Sequence, residues 1–351
     1  MSTNETATGT TRRGRKPQQR VRMRDVADEA GVDQSIVSRV LSGDPNVNVR
    51  SETRERIFAT AKRLDYRPNA AARSLRTART MVIGMVVPDL ANVVYASIAR
   101  GVHQRALPAG YVVMVTSSST GVQLREMVGR VDGVLVAVAT DEANPPTELG
   151  RDGLPMVLVN RRERWGVPTV TVDDEAGVAR ATQHLISLGH LRIGHIAGPQ
   201  NADTARRRQR GYERAMDDAG LPHPSDAIVE TNHDEASGHA AACRLLDARP
   251  RPTAVVASNV LAAIGAMAAF RQAGLRIPED ISVVGFHDVT LAAYLDPPLT
   301  TVRMPLEEMG RRAVGSLLAL INGERDVDDV EITMPPELVV RGSTAPPAAG
   351  A

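Results

Sequence analysis

Gln34, Ser35, Ser38 and Arg39 fall on one face of a short segment that Asp33 can cap as a helix. These side-chain types suit base edges and phosphates. Arginine pairs with guanine, glutamine with adenine, and serine with either or with a phosphate oxygen. Such a face works only if its helix is held rigidly. Val37, Val40 and Leu41 point the other way, toward a small core. Val26, Ala27 and Ala30 repeat at helical spacing just upstream, and Ala27 is small where two helices must cross closely. Gly31 suits a left-handed turn between the helices, and Val32 can fill its corner. Two short helices from Arg22 to Gly43 follow the plan of a helix-turn-helix, which lays its second helix in the major groove. Taken alone, the pattern also fits an ordinary helical hairpin with a solvated polar face.

The following segment adds support. Ser51 can cap a helix over Glu52–Leu64, with Ile57, Ala61 and Leu64 on one face, ended by Tyr66-Arg67-Pro68. The alanine-rich run from Asn69 to Leu75 is too short to be helical by itself and needs a partner helix and DNA.

The charge is split unevenly along the chain. The first 80 residues hold 17 of the 42 Lys+Arg but only 9 of the 41 Asp+Glu, leaving 25 and 32 for the rest. A basic head on an acidic body is the footprint of a nucleic-acid-binding domain joined to something else. The 351 residues allow more than one domain. No apolar run approaches a membrane span, and the polar N-terminus lacks a signal-peptide core, so a cytoplasmic protein is expected. A single cysteine, Cys243, leaves no disulfide framework or cysteine-based zinc site. Residues 1–20 read as a disordered basic tail. Within it, Arg12-Arg-Gly-Arg-Lys-Pro17 fits either a minor-groove insert or a phosphate-binding tail.

After Thr80 apolar runs alternate with helical stretches. Strands are predicted at Met81–Val87, Tyr111–Thr116, Gly133–Ala139, Met156–Asn160, Val170–Val172, Ile193–Ala197, Ala254–Ser258 and Ile281–Phe286. Helices are predicted at Val94–Ala109, Asp174–Leu188, Thr204–Ala219, Glu235–Asp247, Val260–Ala273 and Pro305–Ile321. Continuous apolar strands separated by helices imply parallel α/β sheets, with any ligand beyond the strands' carboxyl ends.

From Met23 to Leu75 the chain resembles the lactose/galactose repressor (LacI/GalR) family. The motifs are Asp-Val-Ala (25–27), Ala-Gly-Val (30–32), Val-Ser-Arg-Val-Leu (37–41), Thr-Arg-Glu-Arg-Ile (53–57), Leu-Asp-Tyr-Arg-Pro-Asn (64–69) and Ala-Arg-Ser-Leu (72–75). The resemblance continues to about Arg341, through Leu188-Gly-His190, Arg208-x-x-Gly-Tyr212 and Pro298-Leu-Thr-Thr301. It implies that Gln34, Ser35 and Arg39 read bases and that Ser38 meets a phosphate. It implies that Asn69, Ala72, Arg73 and Leu75 belong to a DNA-bound hinge helix, with Leu75 as a minor-groove wedge. It also implies a homodimer on a pseudo-palindromic operator in double-stranded DNA, without catalysis, cofactor or metal. The expected order is a tail (1–20), an all-α head (21–67), a hinge (68–79), a two-lobed periplasmic-binding-protein-like α/β body (80–342) and a tail (343–351). Lobe 1 is expected over 80–174 and 290–322, and lobe 2 over 175–289 and 323–342.

By the same resemblance the cleft between lobes holds an effector against Tyr95, Asn160, Arg206, Arg208, His233, Asn259 and His287. A sugar or sugar derivative is the first expectation; an anionic metabolite and loss of effector response altogether share the rest. Two departures bear on this. Asn259-Val260 stands where relatives commonly have Asn-Asp, and His287 where they commonly have aspartate. Aromatics are sparse, with one Trp (Trp165) and three Phe, so a stacking platform for a pyranose is poorly supplied. No glycine-rich phosphate loop, nucleophile elbow or paired metal spacing suggests an enzyme. The segment from Thr116 to Val131 is short and leaves room for only a short helix, which bears on one flank of the first lobe.

Overall fold

The computed structural model describes residues 21–44, 46–67, 77–117, 122–138, 153–162 and 166–348. The hinge positions Asn69, Ala72, Arg73 and Leu75, the basic tail 1–20 and Trp165 lie outside the described residues. The chain divides into two compact units, Met1–Arg79 and Thr80–Ala351.

In the first unit α1 (Met23–Ala30), α2 (Gln34–Leu41) and α3 (Ser51–Arg63) pack together. Val26, Ala27, Ala30, Val37, Val40, Val47, Ile57 and Ala61 form a buried apolar core. A core this small tolerates no cavity, because each buried methylene is worth about 0.8 kcal/mol. Gly31 ends α1 at φ +63°, and Val32 N–H donates to the Ala27 carbonyl at 3.1 Å, so the turn closes in the left-handed region glycine favours. Asp33 Oδ1 accepts from Ser35 N–H at 2.8 Å and caps α2. Helix α3 begins one residue earlier than expected. Ser51 is its first helical residue, and Arg50, with no capping side-chain hydrogen bond, precedes it.

The body is built on two six-stranded sheets. The first contains β1 (Val82–Val87), β2 (Val112–Ser117), β3 (Gly133–Val136), β4 (Met156–Val159), β5 (Thr169–Val172) and β11 (Val330–Ile332), in the order β11-β5-β4-β3-β1-β2. The second contains β6 (Ile193–Ala197), β7 (Ile228–Glu230), β8 (Ala254–Ala257), β9 (Ser282–Phe286), β10 (Thr300–Arg303) and β12 (Glu337–Val339), in the order β12-β10-β9-β8-β6-β7. Among the described strands all pairings are parallel except β10 with β12, which is antiparallel. Strands β3, β4, β5, β6, β8 and β9 are buried along their whole lengths, as parallel strands covered on both faces must be.

The covering helices are α4 (Val93–Ala106), α5 (Val122–Met127), α6 (Asp174–Ser187), α7 (Asp203–Asp218), α8 (Glu235–Asp247), α9 (Val260–Gln272) and α10 (Leu306–Ile321). Helix α10 returns to the first lobe and packs on α4, β3, β4 and β5. Helix α5 has only six residues, in keeping with the short segment that precedes β3.

Two lobe boundaries differ from expectation. Residues 290–322 were expected in the first lobe, yet Thr300–Arg303 pairs with β9 of the second. Residues 323–342 were expected in the second, yet Val330–Ile332 pairs with β5 of the first. The chain therefore passes between lobes at three places: after β5, between β10 and α10, and between β11 and β12. Strands of three or four residues, Thr-rich in β10 and centred on a charged Glu331 in β11, are too short for periodicity to report which sheet they join. Strands β7 and β12 escaped sequence reading for the same reason.

Candidate DNA-reading face and effector cleft

On the head, Gln34, Ser35 and Arg39 are exposed and Ser38 is half-buried. The Asp33 cap fixes the start of α2, and buried Val37 and Val40 fix its rotation, so these four side chains share a defined outward face. One partner was not anticipated. Arg39 Nε donates to Asp44 Oδ2 at 2.8 Å. A guanidinium held by its Nε keeps both terminal nitrogens for the fork that matches guanine O6 and N7.

In the body the candidate effector residues gather at the carboxyl ends of the strands. Asn160 follows β4, His233 lies after β7, Asn259 follows β8 by one residue, and His287 follows β9. Asn160, His233 and His287 have φ of +59°, +65° and +73°. A left-handed non-glycine residue is uncommon and costs of order 1–3 kcal/mol, so three at strand ends mark backbone held off its minimum at one locality. The His233 ring lies against Gly198 just beyond β6; a Cβ on that glycine would overlap the ring, so only glycine fits.

Arg208 is the hub of the second lobe. Its Nε and Nη2 each lie 2.8 Å from Asp174 Oδ1, Nη1 donates to the Ser258 carbonyl at 3.0 Å, and its guanidinium sits 4.6 Å from the Phe286 ring centre. Arg208 Nη2 also lies 3.3 Å from His287 Nε2. A guanidinium only donates, so Nε2 accepts and the imidazole proton resides on Nδ1. Arg207, equally buried, places Nη1 2.7 Å from Asp174 Oδ2 and donates from Nε to Asp203 Oδ2 at 3.0 Å. Asp174 is fully buried between the two arginines.

The cleft histidines are neutral. Burial, aided by the charges of Arg208 and Arg161 and by His195, pushes His233 down to about 3. Burial, with Arg208 and His233, holds His287 well below the usual histidine range. His195 stacks on Tyr212 at 4.9 Å and donates from Nδ1 to the Val256 carbonyl at 3.0 Å; burial pushes it down to about 4. Arg161 was not among the expected residues. It belongs to the first lobe, is buried, and donates from Nε to the Ala137 carbonyl at 3.3 Å. It follows Asn160 at the carboxyl end of β4, and its charge contributes to lowering His233.

Several buried polar atoms here lack a hydrogen-bond partner: Asn160 Oδ1, Arg161 Nη1, Ser258 Oγ, His233 Nδ1 and His287 Nδ1. Buried polar groups are normally paired, so such a cluster sets this region apart from an ordinary core.

The other expected residues sit as follows. Tyr95 is half-buried on α4 and packs against the first lobe's core. Arg206 is half-buried and donates to the Gln200 carbonyl at 2.8 Å. Asn259 is buried, and its Oδ1 caps α9 by accepting from Leu261 N–H at 2.6 Å. Arg210 is exposed and paired with Glu175. Asp288, the acid next to His287, is turned to Thr301, Arg303 and Arg341, a structural network. Among the described residues no group of three or more His, Cys, Asp or Glu can hold a metal ion. No described helix is long and apolar enough to cross a membrane.

Residues 22–69 match the family of bacterial regulatory proteins of the lacI type, and residues 182–344 match the periplasmic binding protein-like domain. Catabolite control protein A of Priestia megaterium is 33% identical over 328 residues, covering 91% of this chain and 98% of that protein. The chain belongs to the LacI family. DegA of Bacillus subtilis, an HTH-type transcriptional regulator, is 32% identical over 92% of this chain and 97% of its own length. Among solved structures, the CelR–cellobiose complex is 33% identical, with a TM-score of 0.70 over 92% of this chain and all of that one. The lac repressor dimer bound to operator and the anti-inducer ONPF is 28% identical, with a TM-score of 0.80 over 93% of this chain and all of that one. A LacI-type head and a two-lobed body make this chain a DNA-binding transcriptional regulator.

Proposed function

We propose that the chain is a repressor that binds a pseudo-palindromic operator as a dimer and is controlled by a small molecule held between the body's lobes. The observation that carries this is the pairing of two sites: an Asp33-capped helix presenting Gln34, Ser35 and Arg39, and a cleft of buried, partnerless polar atoms. Gln34 and Arg39 read bases, Ser35 reads a base or phosphate, and Ser38 holds the backbone. Asn69, Ala72, Arg73 and Leu75 complete the DNA contacts as a hinge and wedge. Asn160, Arg208, His233 and His287 bind the effector; Tyr95, Arg206 and Asn259 border it. The relatives' operator and cellobiose complexes support both halves of this reading. A two-fold dimer suits a two-fold operator, and exposed Val112 and Met114 on the edge strand β2 offer apolar surface for pairing. The protein works in the cytoplasm, where the DNA is, and catalyses no reaction.

The decisive experiment is a gel shift of the purified dimer with the region upstream of its own gene. A specific complex at moderate salt is expected; its absence sinks the repressor reading. A thermal-shift screen of small molecules tests the effector half, because a bound ligand raises apparent stability by mass action.

A further inference from the structure

The cleft holds unpartnered hydrogen-bonding groups of both kinds. Arg161 Nη1, Arg207 Nη2 and the protonated His287 Nδ1 are buried donors without partners, Asn160 Oδ1 and His195 Nε2 are buried acceptors without one, and Ser258 Oγ can serve as either. Charge leans to one side. Three buried guanidiniums, those of Arg161, Arg207 and Arg208, face two carboxylates, Asp174 and Asp203. Asp174 serves both Arg207 and Arg208, and Asp203 serves Arg207. Arg161 makes no ion pair among the described residues; its one hydrogen bond is to the Ala137 carbonyl. A buried guanidinium without a counter-ion is costly unless an anion completes it. A single excess positive charge matches one carboxylate better than a doubly charged phosphate.

The remaining walls suit hydroxyls rather than a flat ring. The Phe286 face is covered by Arg208. Neutral His233 and the Asn160 amide each offer a donor and an acceptor, the pattern that meets vicinal hydroxyl groups. Where aspartate would accept two hydroxyl hydrogens and repel an acid, His287 presents a neutral N–H held in place by Arg208.

Resting on the effector reading above, we propose that the cleft takes a carboxylate-bearing polyol, a sugar acid, with its carboxylate received by Arg161 together with Ser258 and His287. Arginine and carboxylate meet in a two-bond fork, so the assignment predicts selectivity as well as affinity.

The test uses the full-length protein in titration calorimetry with matched pairs: D-galacturonate against D-galactose, D-glucuronate against D-glucose, and D-gluconate against D-glucitol. At least one acid is expected to bind tenfold or more tightly than its uncharged counterpart. Arg161→Gln should abolish that preference, and Arg161→Lys should keep part of it. Circular dichroism confirms that each variant is folded; if Arg161→Gln is not, Ser258→Ala should weaken the acid and spare the neutral compound. The proposal is overturned if the neutral compounds bind as tightly as the acids, if Arg161→Gln retains the preference, or if no acid binds at millimolar concentration. A neutral compound that binds and shifts operator affinity would overturn the acid and leave the effector reading standing. The effector reading fails as well if no compound of either kind changes operator affinity.

Discussion

The head and the body carry their candidate recognition groups in opposite arrangements. On the head, the candidate reading side chains Gln34, Ser35 and Arg39 are exposed, and all come from one eight-residue helix. In the body, the candidate binding residues come from the ends of strands far apart in sequence: Asn160, Ser258 and His287 are buried and His233 is half-buried. The difference follows from the ligands. DNA is larger than the head and brings its own surface, so a helix need only be presented. A small molecule must be enclosed, so the protein has to supply walls on all sides and bury its polar groups in waiting. Presentation leaves the reading groups solvated and cheap to hold. Enclosure leaves buried charges that each depend on a neighbour.

That contrast predicts how each region breaks. The largest effect should come from Asp174→Ala. It leaves Arg207 and Arg208 without their shared counter-ion, and breaking a buried pair costs about 3–5 kcal/mol. Urea denaturation should show the loss in the body's transition; a loss below 1 kcal/mol would mean that solvent reaches the cluster. Next, Gln34→Ala should cost about 1–3 kcal/mol of operator discrimination while leaving the urea midpoint almost unmoved. Competition gel shifts with single-base operator variants measure the first, and a large stability loss would show that Gln34 is structural.

Acid should distinguish the regions as well. His195 is buried, and its folded value of about 4 lies below the ordinary histidine value near 6.5. Its neutral form is therefore favoured by folding. Stability from this source is complete above about pH 6.5 and is lost as pH falls toward 4. Between pH 7 and 5 the body should lose about 2 kcal/mol from this histidine, and His195→Gln should flatten that slope. Denaturation midpoints across this range check it; equal slopes in both proteins would remove His195 as the source. The smallest effect should be that of Asp33→Ala, which removes the α2 cap for about 1 kcal/mol and weakens operator binding without touching the body's ligand affinity. Unchanged operator binding would mean that packing alone orients α2.

The same contrast governs what could be read from residues alone. The head's logic is local. The turn at Gly31, the cap at Asp33 and the stripe of Val37 and Val40 lie within ten residues, and the structure places each as the pattern indicates. The long buried strands and their helices are legible for similar reasons, since each carries its own period. Sheet membership of β10 and β11 is not, because pairing is decided by a neighbour more than a hundred residues away for β11. In the cleft, Asn160, Arg208, His233 and His287 follow from motif position. Asp174 and Arg161 do not; an aspartate opening a helix and an arginine after a strand look like solvated residues until the lobes meet. Arg39's tie to Asp44 was hidden in the same way, since a loop acid five residues on has no periodic relation to the helix.

The left-handed backbone at Asn160, His233 and His287 has a consequence for descent. At these three sites a mutation is filtered by conformation before any ligand is met. Glycine enters freely, and asparagine, aspartate and histidine bear the conformation better than other residues, whereas valine, isoleucine and threonine are turned away. New specificities in this cleft must therefore be spelled with a short alphabet at its strand ends. Wider variation has to come from the ordinary helical positions around Arg206 and Tyr95.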